Sequence, residues 1–182
     1  MIVPNKEKIK TNRDQGKTIT ERKMHKISIL IVFILITSCD STVFFREYNS
    51  FSKGWPSSEA VSFSISQIPQ TSSNIYVHIR NNNEYPYSNL FLIAELRDSV
   101  QTIFRDTLEY AMADPQGKWL GEGFLDVKES KLLWKEGWTP KHEGPFYVDL
   151  FQRVRNNGDL EGVYLLDGIL NVGIAVEPQI QP

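Results

Sequence analysis

The side chains able to do chemistry are few in kind and spread along the chain. Past residue 38 there are two histidines, His78 and His142, one cysteine, Cys39, and nineteen Asp and Glu. Neither histidine has a second ligand or a Ser or Cys at motif spacing, so nucleophile–base catalysis and histidine metal binding both lack a sequence basis. His78 falls on the polar side of an alternating segment and is expected at the surface. A pair of carboxylates could in principle act as general acid and base, as in glycoside hydrolysis. No pair stands out, because nearly all fall at turns or polar strand positions where solvated charge is the ordinary outcome. A carboxylate calcium site has no recognisable loop spacing. The expectation is therefore no catalytic residue, no metal and no cofactor.

Aromatic side chains offer binding rather than reaction. Trp55, Trp119, Trp134 and Trp138, with Tyr85 and Tyr87, could form a sugar-stacking face or a partner-binding patch, although sandwich cores also consume tryptophan. The turn Tyr85-Pro86-Tyr87 is the one expected to serve contact: proline fixes its backbone, and rings on a loop tip make good anchors. Asn89 follows that turn closely. Trp119 follows the turn Asp114-Pro115-Gln116-Gly117 and is placed to cap one end of the fold. Gly121 and Gly123 would admit close approach of another backbone, from the same sheet or from a partner. Three triplets, Asp40-Ser41-Thr42, Asp98-Ser99-Val100 and Asp106-Thr107-Leu108, resemble the Asp-Ser/Thr-apolar acceptor for O-glycosylation in Bacteroidetes, with Ser99 and Thr107 the candidate acceptors in the folded region.

Cys39 belongs to a different kind of signal. Ile27 to Ile36 is apolar except for Ser28, is preceded by Arg22, Lys23 and Lys26, and is followed by Thr37-Ser38-Cys39. Ten residues span roughly 15 Å as a helix, half a bilayer core, which suits a cleaved secretory signal better than a membrane span. Ile36-Thr37-Ser38-Cys39 resembles a lipobox, in which cleavage before the cysteine leaves it as the lipidated N-terminus. Residues 24–38 are then the signal. Residues 1–23, polar and without periodicity, are expected to be either untranslated, with Met24 as the true start, or a disordered extension lost with the signal.

Residues 39–182 form one domain of 144 residues, long enough to bury a core without disulfides or metals. They carry twelve Lys and Arg against nineteen Asp and Glu, a net charge of −7, whereas residues 1–38 carry eight against three. A domain so acidic lacks the basic face that nucleic acid requires, and its attachment to an anionic membrane must come from the lipid. Only three residues separate Cys39 from Val43-Phe44-Phe45, where the fold is expected to begin, so it starts within roughly 15 Å of the lipid.

The elements that would position these residues are strands. Val61, Phe63 and Ile65 alternate with serines, and Ile75, Val77 and Ile79 alternate with Tyr76, His78 and Arg80, the period of a half-buried strand. Leu90–Leu96 is nearly continuous and apolar and reads as a central strand covered on both faces. Ile103–Met112, with Phe104, Leu108 and Tyr110 on one face, Trp119–Val127 with its glycines, a short Lys131–Lys135, Phe146–Val154 and Leu170–Glu177 complete the set. Seven to nine short strands point to an all-β fold, an antiparallel sandwich of immunoglobulin-like or jelly-roll-like kind.

Two stretches carry a family resemblance: His78-Ile79-Arg80-Asn81-Asn82-Asn83-Glu84-Tyr85-Pro86-Tyr87-Ser88-Asn89-Leu90-Phe91-Leu92, and the run from Asp106 through Asp114-Pro115-Gln116-Gly117-Lys118-Trp119-Leu120-Gly121-Glu122-Gly123. With the lipobox, Gly54-Trp55 and the closing Leu170–Glu177, they resemble the gliding-motility lipoprotein GldH family of Bacteroidetes. The chain departs from that pattern at Gln152-Arg153-Val154-Arg155, where the family tends to have Gln-x-Met-Arg; Val154 keeps an apolar group for packing. The resemblance implies an envelope lipoprotein, anchored through Cys39 at the periplasmic face of the outer membrane. It would be a non-catalytic partner of the proteins that drive surface gliding and its linked secretion. A surface carbohydrate-binding sandwich is the alternative.

Overall fold

The computed structural model describes residues 43–180, and the proposed signal, Cys39 and Asp40-Ser41-Thr42 lie outside them. The described chain is a succession of ten antiparallel strands: β1 (Phe45–Ser50), β2 (Trp55–Pro56), β3 (Val61–Ile65), β4 (Ser73–Asn81), β5 (Asn89–Arg97), β6 (Thr102–Ala111), β7 (Lys128–Trp138), β8 (Phe146–Gln152), β9 (Leu165–Leu166) and β10 (Ile169–Pro178). Two four-stranded sheets form the sandwich, one in the order β1-β10-β4-β7 and the other β3-β8-β5-β6, while β2 and β9 pair as a small ladder.

Period-2 alternation decides which face each strand turns inward. Ile75, Val77 and Ile79 of β4 and Val172, Ile174 and Val176 of β10 are fully buried from one sheet. Leu90, Leu92, Ala94 and Leu96 of β5 and Phe146, Val148 and Leu150 of β8 are fully or almost fully buried from the other. The two inner faces meet as the core. At one side the edge strands β6 and β7 close it through an aromatic seam. Phe104 packs edge-on against Trp134 at 5.3 Å and Trp138 at 6.2 Å, and Trp138 packs against Phe146. Asp106 accepts the Trp134 indole hydrogen at 3.0 Å and pairs with Lys135 at 2.9 Å, so no polar atom of that seam is stranded.

Three sequence expectations need correction. β5 is central in its sheet, but only its even-numbered side is buried; Phe91, Ile93 and Glu95 lie on an outer face left half-covered. The unbroken apolar run had suggested cover on both sides. Trp119–Val127 is an irregular loop rather than a strand, tied to β7 by one bridge between Glu122 and Glu129. β7 spans eleven residues rather than the five expected from Lys131–Lys135. Its register shifts opposite Ile75, which breaks the alternation a sequence reader follows.

The registers also fix two ends. Phe45 pairs with Val176 and Val176 with Ile75, so the chain enters beside the start of β4. Ser50 lies beside Asn171, Asn171 beside Arg80, and Arg80 beside Glu129 at the other end. The loops 82–88, 119–127 and 153–164 gather at this far end, nine β4 residues from the entry, about 30 Å at the usual strand rise. Replacing Leu92 by alanine is expected to cost about 2–5 kcal/mol in chemical denaturation, as cavities in packed cores do. Arg105→Ala, on the open side of the neighbouring strand, should cost no more than about 0.5 kcal/mol. Equal losses would place the core on the wrong face.

Candidate functional site

The far end assembles most of the residues expected to bind. Tyr85 is almost fully buried and donates its hydroxyl to the carbonyl of Asn89 at 2.7 Å. Its ring supports Tyr87 edge-on at 5.7 Å and Trp119 at 6.1 Å. Tyr85 is thus a core residue of the turn, and Pro86 and the partly exposed Tyr87 are what the turn presents. Tyr87 donates to Asn156 at 2.7 Å, and Asn89 donates to Glu109 at 3.1 Å. Trp119 caps the sandwich end as expected, its indole hydrogen donated to Asn83 at 3.1 Å. Gly121 and Gly123 do receive a close backbone, and it is their own chain's. A Cβ on Gly121 would sit 2.9 Å from the Glu129 carbonyl oxygen, and one on Gly123 only 2.2 Å from that of Val127.

Beside the turn runs a cleft of about 650 Å³, lined by Pro86, Tyr87, Phe91, Arg153, Arg155 and Asn156. A neighbouring cleft of about 520 Å³ shares Phe91, Arg153 and Arg155 and reaches Thr107 and Val154. Val154 itself is buried, keeping the apolar position at which the chain departs from the family pattern. The glycosylation candidates Ser99 and Thr107 are both exposed, Ser99 in the β5–β6 turn and Thr107 on the outer side of β6.

A second constellation, on the outer face of the β1-β10-β4-β7 sheet, was not legible beforehand. His78 is only 4% exposed, not a surface residue as its alternation implied. Tyr48 explains the difference. Its ring lies across Gly173 of β10, where a Cβ would come within 2.6 Å of it, and so reaches over an intervening strand to cover β4. The Tyr48 hydroxyl donates to Glu129 Oε1 at 2.8 Å, His78 Nδ1 lies 2.9 Å from the same oxygen, and Arg80 Nε donates to Oε2 at 2.7 Å. The Arg80 guanidinium also stacks 4.7 Å from the Tyr48 ring centre.

Protonation follows from these contacts. Burial alone would raise the Glu129 carboxyl, but hydrogen bonds from Arg80, Tyr48 and His78 outweigh it and bring it to about 2. An ionised Glu129 accepts, so His78 Nδ1 carries the hydrogen and Nε2 holds a lone pair. Nε2 is buried without a partner. A second proton there would be a stranded donor, and burial accordingly pushes the His78 pKa down, with Glu129 opposing. Burial and then Glu129 push the Tyr48 phenol up to about 12. The group is a clamp among three strands, and His78 and Glu129 also line a cleft of about 810 Å³ with Leu120, Gly121 and Glu122. Among the described residues, no three His, Cys, Asp or Glu side chains are grouped to hold a metal.

The fold and these surfaces define an antiparallel β-sandwich whose clefts and loop rings gather at the end opposite chain entry. Comparison with known proteins gives the particular family. The family model described as GldH lipoprotein matches residues 43–176. The chain is 42% identical over 149 residues to a gliding motility lipoprotein GldH homolog of Christiangramia forsetii, covering 81% of this chain and 91% of that one. It is 41% identical over 150 residues to the gliding motility lipoprotein GldH of Flavobacterium johnsoniae, covering 82% and 93%. No solved structure matches. The chain belongs to the GldH lipoprotein family.

The Glu129 clamp has a pH signature. A carboxyl held below its unfolded value of 4.5 contributes stability above that pH and loses it as the pH falls toward about 2. Urea midpoints should therefore decline over that interval. Glu129→Gln, which abolishes the charge, is expected to lower the midpoint at pH 7 and flatten part of the acid slope. An unchanged slope in the variant would mean the clamp does not hold in solution.

Proposed function

We propose that this protein is a lipid-anchored lipoprotein of the cell envelope, attached through Cys39 at the periplasmic face of the outer membrane. There it acts as a non-catalytic accessory subunit of the gliding-motility machinery and its associated protein secretion. Family membership over nearly all of the folded chain carries this reading: the two curated relatives, both named gliding motility lipoproteins, are matched over 91% and 93% of their length. The site geometry supports it. The clustered titratable groups on the outer face are bonded to one another, and the far-end cleft is walled by a proline turn, arginines and amides, which suit contact with another macromolecule. Pro86, Tyr87, Asn89 and Trp119 supply that contact, with Tyr85, Gly121 and Gly123 holding them in place. Nucleic acid is not among its partners, given the net charge of −7.

The carbohydrate-binding alternative draws little from the tryptophans. Trp55 is fully buried, Trp134 is 7% exposed, and Trp119 and Trp138 are packed against the core, so they form no open row for sugar stacking.

Affinity recovery from envelopes, with Cys39 intact, is the direct test: proteins of the gliding or secretion apparatus should co-purify, and recovery of the protein alone would overturn the proposal. Cys39→Ser should leave the purified sandwich with an unchanged melting temperature while moving it out of the membrane fraction. Retention in that fraction would show that something other than the lipid holds it. For Ser99 and Thr107, intact mass decides; glycosylation adds hexose-sized increments that disappear in Ser99→Ala or Thr107→Ala, and a mass equal to the bare lipoprotein removes the assignment.

A further inference from the structure

The loop between Trp119 and Lys128 holds large apolar side chains out in solvent. Phe124 is 84% exposed, Leu125 76%, Leu120 57% and Val127 40%. The backbone under them is built rather than slack. Glu122 and Glu129 exchange both backbone hydrogen bonds, at 2.9 and 2.7 Å. Gly121 lies too close to β7, and Gly123 too close to the Val127 carbonyl just before it, to accept any side chain. Lys128 donates its ammonium hydrogens to the carbonyls of Gly123 at 3.2 Å and Leu125 at 3.1 Å, and Asn83 donates to Asp126 at 3.1 Å. Leu125 itself is held at φ +57°, among the described residues the only non-glycine in the left-handed region. A residue with a Cβ is disfavoured there, and such a conformation persists where the surrounding structure over-determines it.

We propose that Phe124 and Leu125 are a preformed anchor that inserts into an apolar socket, rimmed by Lys or Arg, on a partner protein of the envelope. This deepens the reading above, on which it rests for the position of the membrane. Cys39 holds the sandwich at chain entry, and this loop lies at the other end, about 30 Å along β4. A lipid on Cys39 would attach within roughly 15 Å of Val43, at the end of β4 opposite this tip. Its charge agrees: Glu122 and Asp126 interleave with the apolar residues and Glu84 lies beside Asn83. The only cation between residues 119 and 128 is Lys128, already committed to the loop's own carbonyls. An anionic lipid surface would repel that rim, whereas a basic one on a protein would complete it. Fixing the tip beforehand lowers the ordering cost of binding, which is where a rigid anchor gains affinity.

Photo-crosslinking in cells of the full lipoprotein tests this, with a benzophenone amino acid at position 124 and, as control, at the equally exposed Val100 in the turn at the entry end. The expected product at 124 is a protein conjugate at least fivefold above that at 100, mapping by peptide sequencing to an apolar stretch flanked by Lys or Arg. Leu125→Gly relieves the left-handed strain, so it should raise the melting temperature while cutting the conjugate about tenfold; Glu122→Lys should cut it with the melting temperature unchanged. Conjugates to lipid, conjugates to a second copy of this chain, a yield no higher than at 100, or a yield indifferent to Leu125→Gly would each overturn the proposal. A mapped socket on a protein with no part in gliding or secretion would instead overturn the function above and leave this anchor standing.

Discussion

Glu129 is the residue through which the rest of the molecule communicates. Its backbone exchanges hydrogen bonds with Glu122 and so fastens the exposed loop to the sheet. Its carboxylate gathers Tyr48 from β1, and His78 and Arg80 from β4, onto one pair of oxygens. β1 is an edge strand hydrogen-bonded only to β10, and on its outer face the reach of Tyr48 is joined by the Arg46–Glu177 pair at 2.9 Å and the Asn171–Ser50 hydrogen bond at 2.6 Å. That reach depends on Gly173, since any Cβ there would occupy the path of the ring. A charge-assisted cluster in a partly dry setting is worth more than the same groups on an open surface, and its geometry is correspondingly fixed. The strand nearest chain entry and the loop farthest from it are thus joined through one residue, the first by its carboxylate and the second by its backbone.

That join gives physical meaning to the two ends. The entry end is made of β-turns and short polar loops, with Asp98 facing His142 at 3.3 Å and His142 stacked on Phe146. The far end carries the proline turn, the cleft with Arg153 and Arg155, and the apolar tip at Phe124. A tether of three residues between a lipidated Cys39 and Val43 would leave little freedom to invert the domain. The short tether would then hold the entry end near the lipid, with the far end about 30 Å along β4 from it. A longer linker would have made the same loops available to the bilayer.

Much of this architecture was legible in the residues. Wherever apolar and polar positions alternate without interruption, as at Val61–Ile65 or Phe146–Gln152, strand and buried face both followed directly. Failures trace to long-range partners that a local pattern does not contain. His78 sits on the polar side of its strand and is buried because Tyr48, thirty residues earlier, lies over it. β7 alternates poorly because its register shifts against β4, and its charged positions belong to pairs across strands, Lys135 with Asp106 and Lys131 with Glu177. Phe91 and Ile93 read as core by hydropathy yet face outward, where arginines partly cover their neighbours: Arg153 lies 5.3 Å over the Phe151 ring and Arg97 4.5 Å over that of Tyr147. The glycines of the 119–127 loop did signal a close approach, although their positions alone did not tell which backbone would make it.

The two runs on which the family resemblance rests are separated by thirteen residues and meet in space at the far end. Trp119 of one donates to Asn83 of the other at 3.1 Å, and its ring stands 6.1 Å from that of Tyr85. Their residues pack on one another: Tyr85 is core, Tyr87 leans on it and Trp119 closes the sandwich. A surface built in this way cannot vary freely, because changing a contact residue disturbs a packed one beneath it. A loop hung loosely on the sandwich would face no such limit. Packing accounts for Tyr85, Tyr87 and Trp119 in these runs, whereas Phe124 at the tip is 84% exposed and draws little from it.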